Sequence, residues 1–173
     1  MSVRPLVELS SEFLGNRDTI LRRPCAQVTD FGPAFQAQIE DLVDTLMHHR
    51  IAVGLAAPQI GIPLQVCAIN LKQAESATIV LVNPVLQSSS GKKDRKKESC
   101  MSVPHFRGEV ERRDKTHIAF ISRFGEPRTL DATGFLSRVI LHELDHLAGM
   151  LYLDRIDDWS NLESVTFFKT TET

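Results

Sequence analysis

The 173-residue sequence is poor in the features that would assign it to a special class. Its three cysteines, Cys25, Cys67 and Cys100, are an odd and sparse set, which excludes a disulfide framework and fits a reducing compartment. Charge imbalance is nearly absent: 20 basic against 22 acidic residues leave a net charge of -2, so no global field draws the chain to DNA or to an anionic membrane. It also lacks a clean apolar run of spanning length, because Gly54, Pro58, Gln59, Gly61, Pro63 and Gln65 interrupt the uncharged stretch from Ile51 to Asn70. The first residues have no apolar signal core, broken as they are by Arg4, Glu8, Ser10, Ser11 and Glu12, and they are not rich in arginine. A cytoplasmic protein with no membrane partner is expected. Repeats and low-complexity blocks are absent. What is there is ordinary: 42% apolar and 24% charged residues, enough to bury a full core unaided. A single domain over 1–173 is expected, and a metal site in it would serve chemistry rather than fold rescue.

Hydrophobic spacing organises the chain. Arg17 to Val28 reads as an irregular entry segment. From Ala34 to Arg50, Phe35, Ile39, Leu42, Val43, Leu46 and Met47 recur with a helical period, with Pro33 near the first turn. His48, His49 and Arg50 suit the negative end of this amphipathic helix, and the two histidines read as a helix end rather than ligands. Leu64 to Leu71 and Thr78 to Leu86 read as strands, with Asn83 and Pro84 marking an edge or bend. Ser88 to Glu98 begins small and polar and becomes a charge run, which predicts a solvated hairpin tip; the alternative is a basic patch for RNA or another polyanion. Thr116 to Ser122, a turn at Arg123 to Pro127, and Arg128 to Leu130 make a hairpin. From Gly134 to Ala148 apolar residues occupy much of a helix circumference, and Gly149 supplies the stop, so this helix is central and buried. Leu151 to Thr173 carries short apolar groups around Tyr152, Phe167 and Phe168 without a strongly amphipathic helix. The fold class expected is α+β, with antiparallel sheets packed around the central helix and an N-terminal amphipathic helix.

That central helix holds His142, Glu143, Leu144, Asp145 and His146, an H-E-x-x-H pattern. Imidazoles four residues apart share one helix face and can grip one metal ion, while the adjacent Glu143 is placed to act as general base on a water. The alternative is a stack of polar residues on an exposed face, against which stand the flanking apolar residues that bury the helix. A catalytic site of this kind wants a third protein ligand. Cys100, within Glu98-Ser99-Cys100-Met101-Ser102-Val103-Pro104, could supply a thiolate, or be a small buried apolar residue.

Taken with Gly54-Leu55-Ala56-Ala57-Pro58-Gln59, these segments resemble the three signature motifs of peptide deformylases, in the family's order. The likeness runs from about Leu21 to Asp154. It implies one divalent metal on Cys100, His142 and His146, with ferrous iron first and zinc, nickel or cobalt as the other candidates. It implies Glu143 as acid and base, and Gln59 with the Met101 backbone N–H as oxyanion donors. The implied reaction removes the N-formyl group from the N-terminal methionine of newly made polypeptides and releases formate, with the ribosome as a further candidate partner. The formyl-methionyl peptide would lie extended beside Val53 and Gly54, near Ser99 and Arg107, with its methionine in a pocket lined by Val53, Phe135, Val139 and His142. Three positions depart from the family pattern: Ala52 and Ser99 stand where glycine is common, and Leu141 stands for glutamine, without removing a ligand, the base or Gln59.

Other charges have two readings. Arg138 is expected to snorkel outward rather than narrow the pocket. Glu98, Arg107 and Arg112 are either surface charges, or Glu98 and one arginine form a buried network with Asp145; the other reading of Arg107 is a hold on the peptide backbone or carboxylate. Cys67 reads as core. One rival reading is a metallopeptidase of internal bonds, whose third ligand would be sought among Asp154, Asp157, Asp158, Glu163 and Glu172. Another is a binding module with a structural metal, docking on ribosomes through Lys92 to Lys97.

Overall fold

A computed structural model describes residues 2–9, 19–72 and 77–165. Helix α1 (Pro33–His48) starts with proline in its first turn, where a missing N–H costs nothing, and buries Phe35, Ile39, Leu42, Val43 and Leu46 along one face. Helix α2 (Phe135–Leu147) carries His142, Glu143 and His146. Strands β1 (Gly54–Ala56), β2 (Val66–Ile69), β3 (Ile79–Cys100), β4 (Val103–Ile121) and β5 (Pro127–Thr133) pair antiparallel in chain order, and β6 (Glu163–Ser164) adds to β4. The described strands thus make one connected antiparallel sheet, where separate sheets were expected.

Strand β2 shows how the sheet serves two cores. All four of its residues are buried, and successive side chains go to opposite faces. Val66 and Ala68 join the cluster around α1, together with Leu55 and Val82; Cys67 and Ile69 join the cluster around α2, together with Ala56, Leu81, Val139 and Ile140. The sheet here is a layer between two helices, which explains a strand with no polar alternation. Each large side chain so buried contributes roughly 1.5–3 kcal/mol. A third cluster, with Leu21, Cys100, Val110, Leu151 and Tyr152, lies under the chain that follows α2.

The expected hairpin tip at Ser88 to Glu98 is instead strand. β3 and β4 form one long ribbon, and its turn is Met101-Ser102, with Cys100 opposite Val103. The charge run persists as strand because its partners lie across the ladder: Lys93 pairs with Glu111 at 2.7 Å, Arg95 with Asp157 at 3.2 Å, and Lys97 with Glu163. Lys96 pairs with Asp94 two residues away. Lys93, Arg95, Lys96 and Lys97 of the run are thus each ion-paired. The ladder slips register between Ser90 and Lys93, where the Asp114 carboxylate accepts the Lys92 N–H at 2.8 Å. Such a bulge bends and twists a ribbon, and beyond it the distal half brings Glu98, Cys100 and Arg112 against α2. An earlier irregularity sits at Asn83, whose φ is 49° and whose amide bonds both the N–H and the carbonyl of Val28 at 2.8 Å. Residues 166–173, including Phe167 and Phe168, lie outside the described residues. No helix among the described residues is long and apolar enough to cross a membrane.

Gly149 ends α2 with φ 74°, and a Cβ there would lie 2.8 Å from the Arg23 carbonyl carbon and 2.9 Å from that of Arg22. Neither backbone can yield cheaply. Gly149→Ala is expected to lower unfolding free energy by at least about 2 kcal/mol in a denaturant titration; a loss under about 0.5 kcal/mol, the scale of a neutral surface change, would contradict this packing.

Candidate metal centre

Two chain segments meet at one point: the end of β3 supplies Cys100, and successive turns of α2 supply His142 and His146. Their ligand atoms all lie within 4.8 Å of one another, and the Cys100 Sγ is 3.2 Å from the His146 Nε2. Cys100 and His146 are buried, and the His142 side chain is 14% exposed. A thiol and two imidazoles converging in a buried pocket are the donor set of a three-ligand site with an open position, so the residues present fit a divalent metal. Burial holds the His146 imidazole well below its usual range, in the neutral form that can ligate.

The second nitrogen of His142 is fixed by Glu98. The Nδ1–H donates to Glu98 Oε2 at 3.0 Å, which leaves Nε2 as the nitrogen that faces Cys100 and would take a metal. Glu98 is buried and fully engaged: Arg112 donates its Nε to Oε1 at 2.7 Å and its Nη2 to Oε2 at 2.9 Å, and Arg138 donates its Nη1 to Oε1 at 2.6 Å. Burial alone would raise the Glu98 pKa, but the bonds from His142 and Arg112 outweigh it and bring it down to about 2. Arg112 also donates to Asp145 Oδ2 at 2.9 Å. The network reading of these charges is therefore the observed one, with Arg112 as its arginine. Arg138 departs from expectation: it does not snorkel, but is 6% exposed and bonds Glu98 and the backbone carbonyls of Val110 and Asp94. The carboxylate holds it inward.

Glu143 is 3% exposed, and its Oε2 has no hydrogen-bond partner among the described residues. Its Oε1 lies against Gly54 of β1 so closely that a Cβ there would collide with the carboxylate, and would also come within 3.0 Å of Val139. Burial is the main cause of a Glu143 pKa raised to about 7, the range useful to a group that must accept and return a proton. Gln59 is buried in the short turn Ala57–Ile60 with a fixed amide: its carbonyl accepts the Ala56 N–H at 2.8 Å, and its Nε2 points at Cys100 Sγ (3.5 Å) and Ser102 Oγ (3.2 Å). The N-terminal segment ties down both supports, Val7 N–H donating to the backbone carbonyl of Gln59 and Leu9 N–H to that of Ser102, each at 2.8 Å.

The remaining expected residues spread around this centre. Gly54 lies on β1, an edge strand paired only with β2 among the described residues, and Val53 and Val139 pack in the α2 cluster. Phe135 is 56% exposed at the start of α2. Ser99 is exposed directly opposite Arg107, which donates to Glu163 Oε2 at 2.8 Å. Met101 is half-buried in the turn. The carboxylates a metallopeptidase would need have other partners: Asp154 accepts from Arg22 and the Leu151 N–H, Asp157 from Arg95, Asp158 from the Ser160 N–H, and Glu163 from Lys97 and Arg107. Glu172 lies outside the described residues.

Two neighbours had no role in the sequence reading. The Tyr152 ring stacks on that of His142, centroids 6.3 Å apart and planes at 17°. Arg155 donates to Asp145 Oδ1 at 2.7 Å. Both come from the single turn Tyr152–Arg155, too short for a periodic signal.

Comparison with known proteins agrees with this geometry. The family model for polypeptide deformylase matches residues 11–161. A peptide deformylase of Aquifex aeolicus is 39% identical over 143 residues, which are 81% of this chain and 83% of the relative. Peptide deformylase 2 of Streptomyces avermitilis is 38% identical over 159 residues, 91% of this chain and 81% of the relative. Among solved structures, a peptide deformylase from Legionella pneumophila is similar with a TM-score of 0.82 at 33% identity, covering 92% of this chain and 89% of that one. One from Synechococcus elongatus in complex with actinonin gives 0.79 at 31% identity, covering 93% and 90%.

The Glu143 carboxyl makes a prediction about pH. Its folded pKa of about 7 lies above the ordinary 4.5, so folding loses stability as pH rises from 4.5 toward 7. With a chelator present, Glu143→Gln is expected to melt progressively higher than the unsubstituted protein across that interval, with a constant gap above it. Parallel melting curves from pH 4 to 8 would show that the carboxylate is not buried at a cost.

Proposed function

Because the chain belongs to the polypeptide deformylase family, we propose a specific division of labour among its own residues. The activity is that of a metal-dependent hydrolase which removes the N-formyl group from the N-terminal methionine of newly synthesised polypeptides and releases formate. The proposal begins with the ligands. Cys100, His142 and His146 hold one divalent ion, which as a Lewis acid supplies activation of water and polarisation of the formyl oxygen. Ferrous iron is the first candidate from the family resemblance, with zinc, nickel and cobalt as alternatives.

Glu143 takes a proton from the attacking water and returns it to the leaving amine as the formyl C–N bond breaks. Its unpartnered Oε2 is the observation that carries this reading, since a buried carboxylate oxygen without a donor is free to receive a proton. Gln59 Nε2–H and the Met101 backbone N–H stabilise the oxyanion; the support is the Gln59 amide, oriented before substrate arrives by its bond to Ala56. The extended peptide pairs with the open edge of β1 at Val53 and Gly54, as a strand added to a sheet. Its methionine enters the space between Val53 and Val139 under Phe135, while Ser99 and Arg107 face the rest of the peptide. The absence of a side chain at Gly54 supports this, since it is what lets the edge approach Glu143. We read residues 1–173 as one catalytic domain that meets nascent chains at the ribosome, in the cytoplasm.

The test is formate release from a formyl-methionyl tripeptide by anaerobically purified protein loaded with ferrous iron or nickel. Glu143→Ala is expected to lose at least about 10²-fold in kcat with metal content unchanged. Cys100→Ala should instead lose the metal. Turnover surviving in Glu143→Ala would refute the assigned base. Gly54→Ala, which displaces Glu143, is expected to lower kcat/KM by about 10²-fold while the bound metal stays stoichiometric; an unchanged rate would refute the close approach of β1 to the base.

A further inference from the structure

Asp145 precedes His146 on α2, and both of its carboxylate oxygens are taken. Oδ2 accepts from Arg112 Nη1 at 2.9 Å, while Arg155 donates its Nη2 to Oδ1 at 2.7 Å and its Nε to Oδ2 at 3.3 Å. Arg112 turns its remaining N–H groups onto Glu98, and Glu98 accepts the Nδ1–H of His142. A contiguous chain of charge-assisted hydrogen bonds therefore runs from Arg155 through Asp145, Arg112 and Glu98 to His142. The Asp145, Arg112 and Glu98 side chains are 5–8% exposed, whereas that of Arg155 is 45% exposed. The chain has one end at the surface and the other on a ring of the metal centre.

We propose that Arg155 is a positioning residue for His142, acting through Asp145, Arg112 and Glu98; this rests on the ligand set proposed above. Asp145 is shared between two guanidinium groups. With Arg155 gone, the buried carboxylate must draw Arg112 toward itself or admit water, and either displaces the two-pronged contact by which Arg112 fixes Glu98. Glu98 has no slack to absorb that shift, because four donors occupy its two oxygens. His142 must follow. The turn carrying Arg155 is itself anchored, since Asp154 accepts the Leu151 N–H at 2.8 Å and the Tyr152 ring lies along His142. The turn after α2 thus holds the ligand from two sides.

The experiment uses the full chain loaded with cobalt(II), which reports its own coordination by absorption, and follows metal loss to excess chelator. Direct partners of metal ligands are worth about 10–100-fold in affinity, so Arg155→Met, further removed, is expected to release cobalt about 3–10-fold faster and to shift the cobalt bands. Arg155→Lys should recover only part of this, because an ammonium cannot make the two-point contact with Asp145. Arg128→Met, which breaks an exposed pair with Glu126, should behave as the unsubstituted protein. Release and spectrum unchanged in Arg155→Met would overturn the proposal whatever its melting temperature, and so would full recovery by lysine, which would assign the effect to charge. Failure of the ligand set would look different: no thiolate-to-cobalt band in the unsubstituted protein, or full cobalt retention in Cys100→Ala.

Discussion

The Glu98 carboxylate is the constraint on which the rest of the site depends. It stands two residues before Cys100 on β3, and accepts from Arg112 of β4 and from Arg138 and His142 of α2. Two strands and a helix are thereby tied at one buried point. Buried ion pairs seldom add stability over an apolar core of the same shape, but removing one member leaves an uncompensated charge and is strongly destabilising. What the arrangement secures is position. The helix cannot rotate about its axis without breaking Arg138 and His142 from Glu98 together, and the ribbon cannot slide without moving Cys100 and Arg112 in step.

A second tension lies on the same helix, at Glu143. Glu143 is held without a partner for one oxygen, in a place whose burial raises its pKa to about 7. A fold selected for stability alone would have placed an apolar group here. The cost is borne by packing elsewhere: β2 feeds two helical clusters from one strand, and α2 is enclosed by β1, β2, β4 and β5. Local strain at a reactive group is tolerable when the surrounding layers are this complete.

Much of this was legible in the residues. Helical periodicity located α1 and α2 to within about two residues at each end, which is the normal spread of helix boundaries, and the spacing of His142 and His146 indicated one shared face. The role of Cys100 rested on family resemblance, since a lone cysteine has no periodic signature. Ser88 to Glu98 reads as a hairpin tip because strand propensity describes a half-buried pleated surface, whereas up to Lys97 both faces largely meet water and the strand is held by its ladder and by charges on β4, at Asp157 and on β6. Arg138 was misread for a related reason. The direction of a long cationic side chain depends on where its counter-charge sits, and Glu98 is supplied by a strand 40 positions earlier. Tyr152 and Arg155 carried no signal because a single turn has no period to read.

Among the described residues β1 and β5 end the run of paired strands, and their open edges differ in a way that bears on solubility. A strand edge that accepts an extended peptide can also accept a second copy of its own chain, which is the route to edge-to-edge aggregation. The β1 edge is three residues long, room for a short extended peptide but not for a long strand of a second copy, and its neighbour Glu143 leaves no room for a side chain at Gly54. The opposite edge, β5, is longer and opens with Pro127 and Arg128, with Asp131 exposed farther along. A proline that cannot donate and charges that would have to be desolvated make that edge a poor partner for itself. Shortness thus limits what can add to β1, while proline and charge limit what can add to β5.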